Sequence, residues 1–129
     1  MRKVLVCDDD LTISEVVAII LVDSNMAEVY TIPDCDNIIE KIESLNPSLI
    51  FMDNKIPTHG GVVATQTIKN HPLHRSIPVV YFTASEDIKQ LAENAGADYI
   101  LAKPFSISQL EEVVMKAFKS YQPPVDPVS

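Results

Sequence analysis

Five times along its length the chain alternates a short apolar run with an amphipathic segment of helical spacing, and this alternation limits the possible folds more than any other feature. Short apolar runs bounded by turn residues read as buried strands, and the longer segments between them as amphipathic helices. Strands are expected at about Lys3–Cys7, Ala27–Ile32, Ser48–Asp53, Pro78–Thr83 and Tyr99–Ala102. The third and fourth are almost continuously apolar, as in strands covered on both faces of a parallel sheet. Three-to-four-residue spacing marks the helices: Ile13, Val16, Val17 and Ile20; Ile38, Ile39, Ile42 and Leu45; Ile88, Leu91, Ala92 and Ala95; Leu110, Val113, Val114, Ala117 and Phe118. The segment from about Gly61 to His71 is a weaker helix. Thr12 with Glu15 and Ser106 with Gln109 resemble capping boxes, and Gly96 suits a left-handed C-terminal cap.

The expected class is therefore α/β, a flavodoxin-like (βα)5 doubly wound parallel sheet of strand order 2-1-3-4-5. Residues 1–121 form one domain. The prolines and missing periodicity of 122–129 predict a disordered tail. In such sheets ligands collect beyond the carboxyl ends of the strands, which directs attention to Asp8, Asp9 and Asp10, then Asp53, Thr83 and Lys103.

Composition narrows the function. Ten basic residues are outnumbered by 18 acidic ones, for a net charge of -8, so the chain lacks the basic surface that direct nucleic-acid binding requires. The apolar run after Arg2 and Lys3 stops at Asp8, too early for a signal peptide, and no stretch is long enough to cross a bilayer. A cytoplasmic protein without membrane contact is expected. Cys7 and Cys35 then read as buried free thiols. His59, His71 and His74 share no metal-ligand spacing and read as solvated loop residues, while Tyr30, Phe51, Tyr81 and Phe82 read as core or sheet-face residues.

Carboxylates gathered at one sheet edge repel one another by roughly 3 kcal/mol per pair at 5 Å and an effective dielectric of about 20, so a positive charge must sit among them. Oxygen ligands with no histidine or cysteine nearby favour a hard cation, and Mg²⁺ suits a site with few carboxylates and room for phosphate. Lys103 can pair with one phosphoryl oxygen and Thr83 can donate to another. Asp53, from an inner strand, is the candidate nucleophile toward phosphorus, with Asp8 and Asp9 on the neighbouring strand placed to hold the metal.

Asp8-Asp9, Asp53 with Pro57 and Gly61 beyond it, Thr83-Ala84 and Lys103-Pro104-Phe105 together resemble the response-regulator receiver domains of two-component signalling, the CheY-like family. The resemblance spans about Lys3 to Tyr121. It implies a phosphoacceptor, not an enzyme acting on other molecules: Asp53 takes a phosphoryl group from a sensor histidine kinase or a histidine phosphotransfer protein. It implies Mg²⁺ ligation by Asp8, Asp9, Asp53 and the backbone carbonyl of Lys55, phosphate contacts from Thr83 and Lys103, and a cis Lys103-Pro104 bond. It also implies output to a downstream protein through the face made by the fourth helix, fifth strand and fifth helix. Lys55 and Ser85 flank the path of a hydrolytic water and would tune phosphoryl lifetime.

The rival reading is a haloacid-dehalogenase-like phosphatase. Asp8-Asp9-Asp10-Leu11-Thr12 matches its D-x-D-x-T motif, with Asp8 as nucleophile and Asp10 as acid/base. Against it, no further acidic motif follows Lys103, and Asp53 would have no role. Within the receiver pattern two departures stand out. Thr58-His59-Gly60 occupies a stretch that often reads x-Met-Asp, and Ile100 stands where an aromatic residue often acts as a switch. Because strand side chains alternate between faces, Tyr99 should point away from Thr83 and cannot take over that role.

Overall fold

The structure, a computed structural model, describes residues 2–57 and 60–121. Its elements run β1 (Lys3–Cys7), α1 (Leu11–Asp23), β2 (Glu28–Ile32), α2 (Ile38–Leu45), β3 (Leu49–Met52), α3 (Gly60–Lys69), β4 (Val79–Thr83), α4 (Ile88–Ala95), β5 (Tyr99–Ala102) and α5 (Ile107–Ser120). All strand pairs are parallel and the sheet order is β2-β1-β3-β4-β5. The α/β class and strand order match the expectation. β2, β3 and β4 are each shorter than expected, and Asp53 is the first residue beyond β3. Its N–H still donates to the Cys7 carbonyl at 2.9 Å. The expected tail, 122–129, and His59 lie outside the described residues.

Alternation along each strand divides the core in two. Val4, Val6, Leu49, Phe51, Val80, Phe82 and Leu101 face α1 and α5, where Val17, Leu21, Leu110 and Val114 cover them. Phe51 and Phe82 meet edge to face, centroids 5.4 Å apart. Leu5, Cys7, Ile50, Met52, Val79 and Tyr81 face α2, α3 and α4, covered by Ile42, Ile68, Ala92 and neighbours. Every residue of β3 and β4 is buried, as inner strands of a doubly wound sheet require. Of the four aromatic residues assigned to strands, Phe51, Tyr81 and Phe82 are fully buried, whereas Tyr30 on the edge strand β2 is exposed.

The helix ends correct one expectation. α1 is capped by Asp10, whose Oδ1 accepts from the N–H groups of Thr12 at 3.0 Å and Ile13 at 3.4 Å, so Thr12 with Glu15 is not its capping box. Asp10 holds the position just outside the helix, from which its carboxylate reaches the free N–H groups, whereas Thr12 already lies inside the first turn. At α5 the expected box is present: Ser106 Oγ accepts from Gln109 N–H at 3.1 Å, and Gln109 Oε1 accepts from Ser106 N–H at 2.8 Å. Gly96 ends α4 at φ +80° as expected, and Asn46 plays the same part for α2 at φ 55°.

The solvated-loop reading fails for one histidine. His74 is largely buried, stacks on His71 with centroids 4.4 Å apart, and lies 3.6 Å from Glu43. The turn after α3 folds back on itself, a tertiary contact that spacing does not encode. Capping supplies the test here: Ser106→Ala should cost about 1 kcal/mol, while Thr12→Ala should change stability by less than about 0.5 kcal/mol. Urea melts of both variants check this, and equal losses would contradict the cap assignment.

Candidate phosphoacceptor site

Side-chain parity carries the sheet pattern past the strand ends. Asp8 continues the face of Val4 and Val6, Asp53 that of Leu49 and Phe51, and Lys103 that of Leu101, so all three project over the carboxyl edge on the α1 and α5 side. Thr83 continues Val79 and Tyr81 on the opposite face. Lys103 reaches across β4 and its Nζ contacts Asp8 Oδ2 at 2.7 Å and Asp53 Oδ1 at 3.2 Å. The ammonium lies 4.5 Å from the centroid of the Phe82 ring, which supports it from below.

The remaining carboxylate oxygens are engaged by backbone. Asp8 Oδ1 accepts from Asp10 N–H at 2.9 Å and Asp53 Oδ2 from Lys55 N–H at 3.1 Å. Asp8 is 1% exposed and Asp53 5%, whereas Asp9 is exposed. Thr83 is buried, and its Oγ1 accepts from Ser85 N–H at 3.3 Å, which leaves the hydroxyl hydrogen available. These residues line a cleft of about 390 Å³ with Asp9, Lys55 and Ser85 on its walls. All the residues expected at the site are thus brought together. The Lys103-Pro104 bond is cis.

Gly61 fixes the floor behind Asp53. Its N–H donates to the Asn54 carbonyl at 3.0 Å, and a Cβ at this position would collide with the Asp53 carbonyl oxygen. The start of α3 packs on the Asp53 backbone at a distance that only glycine permits. Asn54, which sequence reading passed over, is held from below by the Tyr81 hydroxyl at 2.5 Å. Burial, with the Asp53 charge nearby, pushes that phenol up to about 12, so it stays a hydrogen-bond donor. Nothing local in the sequence marks this pair, because Asn54 lies in the turn beyond β3 and Tyr81 on β4.

A sequence profile of the response regulator receiver domain matches residues 4–115. The chain belongs to this family. Among curated relatives it is 32% identical over 132 residues to protein PilG of Pseudomonas aeruginosa, covering 98% of this chain and 94% of PilG. It is 28% identical over 124 residues to the phosphate regulon transcriptional regulatory protein PhoB of Escherichia coli, covering 95% of this chain but only 54% of PhoB. Among solved structures, chemotaxis protein CheY4 of Vibrio cholerae superimposes with a TM-score of 0.81 at 26% identity, covering 91% of this chain and 98% of that one. The receiver domain of NtrX from Brucella abortus gives 0.82 at 29% identity, covering 92% and 99%. The chain is a receiver module of two-component signalling, a phosphoacceptor and not a catalytic enzyme.

One carboxylate oxygen each from Asp8, Asp9 and Asp53 lies within 4.8 Å of the others, and they form the one such group among the described residues. An all-oxygen donor set beside an open cleft fits a hard divalent cation, and this acidic triad is typical of the Mg²⁺ site of receivers. The phosphatase reading fits poorly. Asp10, its acid/base, spends Oδ1 on capping α1, and Asp53, buried and paired with Lys103, would have no role in it.

The carboxyl of Asp53 is pushed up by burial and by the charge of Asp8, with Lys103 and the Lys55 N–H opposing. A folded-state value above the unfolded one means that ionised Asp53 destabilises the metal-free receiver at higher pH. That cost is lifted as pH falls from the folded value to the unfolded one near about 3.9. In urea melts without divalent metal, Asp53→Asn should be more stable than wild type at pH 7, with the difference shrinking toward pH 4. Lys103→Ala, which strands two buried carboxylates, should lose about 3 kcal/mol at pH 7 and recover part of it on acidification. A Lys103→Ala receiver as stable as wild type would show that the ion pairs do not hold the edge together.

Proposed function

We propose that Asp53 accepts a phosphoryl group from a sensor histidine kinase or a histidine phosphotransfer protein, and that Thr83 and Lys103 stabilise it there. The observation that carries this reading is the position of Lys103 Nζ, in contact with both Asp8 and Asp53 at the head of the cleft. An Asp53 carboxylate oxygen attacks phosphorus, the bond to the donor's imidazole nitrogen breaks, and the imidazole leaves with the electron pair. Lys55 N–H holds Asp53 Oδ2 and so orients the carboxylate. As negative charge moves onto the phosphoryl oxygens, Lys103 exchanges a carboxylate for one of them and the Thr83 hydroxyl donates to another. Mg²⁺, held by Asp8, Asp9, Asp53 and the Lys55 carbonyl, would neutralise charge on the transferring group. Lys55 and Ser85, both on the cleft wall, are placed to tune hydrolysis of the product.

Receiver domains partner histidine kinases, and a segment of the CAI-1 autoinducer sensor kinase/phosphatase CqsS of Vibrio cholerae is 32% identical over 106 residues to this chain. That match covers 80% of this chain and 15% of CqsS. Leu11 and Ile19 on α1 and Ile107 at the start of α5 are exposed, and would offer a donor apolar contacts. For output, a cleft of about 670 Å³ between α4 and α5 over β5 suits a protein segment. No helix among the described residues is long and apolar enough to cross a membrane, and two unpaired cysteines suit a reducing, cytoplasmic setting.

Incubation with Mg²⁺ and a small acyl-phosphate donor should label Asp53, located by mass spectrometry of peptides. Asp53→Asn should stay folded and unlabelled, and Lys103→Ala should label about a hundredfold more slowly. A phosphoryl group on Asp8, with Asp53 unmodified, would overturn the assignment.

Output is expected to bypass an aromatic switch. Tyr99 faces α5, its hydroxyl 2.9 Å from Ser120 Oγ, whereas Ile100 lies half-exposed on the α4 side with Thr83. A β-branched side chain with no polar tip gains little by changing rotamer. Side-chain NMR with and without a phosphoryl mimic should find Ile100 unmoved and the shifts concentrated in the Thr83–Asp87 loop and α4. A Tyr99 ring turned in beside Thr83 would contradict this.

A further inference from the structure

The turn that leads from Asp53 into α3 is held by a side chain from another strand. Tyr81 lies on β4, two residues before Thr83 and on the same face, between its register partners Met52 on β3 and Ile100 on β5. It is among the largest fully buried side chains of the protein. A buried tyrosine ordinarily finds a partner for its hydroxyl, so burial alone marks no function. The partner is what matters. The Tyr81 hydroxyl donates to Asn54 Oδ1 at 2.5 Å, and Asn54 is the residue next to Asp53 in the chain.

A single peptide unit beyond Asp53 sets the orientation of its carboxylate. In the unit joining Asn54 to Lys55, the carbonyl accepts from Gly61 N–H at 3.0 Å and the N–H donates to Asp53 Oδ2 at 3.1 Å. The unit is planar, so its two ends turn together, and a rotation that loosens one bond loosens the other. On one side it is braced by the start of α3, where a Cβ on Gly61 would stand 3.0 Å from Asn54 Cα. On the other side the brace is Tyr81. By fixing the Asn54 side chain from β4, it restrains the backbone at the residue where the peptide plane begins.

A phenyl ring would fill this space too, as Phe51 and Phe82 do on the opposite face. The hydroxyl is therefore not required to fill the core. Nor would its removal strand a buried acceptor, because Asn54 is only partly buried and its amide oxygen can take a water instead. What the hydroxyl adds is position. We propose that Tyr81 is a positioning residue for phosphoryl acceptance: through Asn54 it holds the Asn54–Lys55 peptide in the plane that keeps Asp53 Oδ2 bound to Lys55 N–H while Oδ1 faces Lys103. Its effect on phosphoryl transfer rests on the proposed function of Asp53; its bracing of the turn does not.

The test compares the full wild-type chain with Tyr81→Phe, Asn54→Ala and the double variant, each checked for folding by circular dichroism. In metal-free protein followed by NMR, either single substitution should speed hydrogen exchange at the Lys55 and Gly61 amides about tenfold more than at Phe51 and Phe82 in the strands. With Mg²⁺ and a small acyl-phosphate donor, labelling of Asp53 should slow about tenfold in each single variant. The double variant should be no slower than either, because both substitutions remove the same bond. Equal changes in exchange at the turn and in the strands would make Tyr81 a packing residue and overturn the proposal. Labelling of Tyr81→Phe at the wild-type rate, or losses that add in the double variant, would overturn it as well. A wild-type chain that does not label at all tells instead against Asp53 as acceptor, and the exchange pattern then still decides whether Tyr81 holds the turn.

Discussion

Everything at the carboxyl edge depends on one ammonium group. Lys103 Nζ joins the end of β5 to the ends of β1 and β3, closing on Asp8 and Asp53 across the intervening β4. Two buried carboxylates side by side are tolerable only with a partner, since the cost of removing their charges from water exceeds what backbone N–H groups alone return. The lysine meets that requirement and rests on the Phe82 ring. Under the proposed function the same contact would make the site responsive: a phosphoryl group on Asp53 would offer oxygens that compete for the ammonium, so the charge that holds the metal-free fold together would also be the charge that the modification redirects.

The geometry that allows this comes from the sheet. With parallel strands in register, residues of the same parity leave the edge on the same side, and Asp8, Asp53 and Lys103 share one face while Thr83 leaves on the other. Thr83 is therefore tied to the α4 side, and the acidic residues to the α1 side, where α1 is capped by Asp10. Gly61 adds a steric constraint, holding α3 against the Asp53 backbone.

The opposite face carries sulfur side chains at the same strand ends. Cys7 and Met52 precede Asp8 and Asp53 by one residue each, so the sulfur cluster and the carboxylate cluster share backbone hydrogen bonds. In a parallel sheet, neighbouring residues on one strand cannot move independently.

The sequence by itself determined the class of fold and the inventory of the site. Apolar runs and helical periodicity depend only on local composition, and a residue that ends a strand in a doubly wound sheet is at the ligand edge wherever that strand lies, so Asp8, Asp9, Asp53, Thr83 and Lys103 were legible in advance. Ser106 with Gln109 and Gly96 were legible too, because caps are local. Only the tertiary structure decided that Lys103 pairs with Asp8 and Asp53 across β4, that Tyr81 supports Asn54, that His74 stacks on His71, and that Cys35 meets Met52. Each of these joins residues by packing between separate elements, and a distance set by packing is not written in the spacing of either partner. Asp10 marks the boundary between the two cases: its acidity placed it in the cluster, but the helix dipole and the unsatisfied N–H groups of α1 turned it to capping.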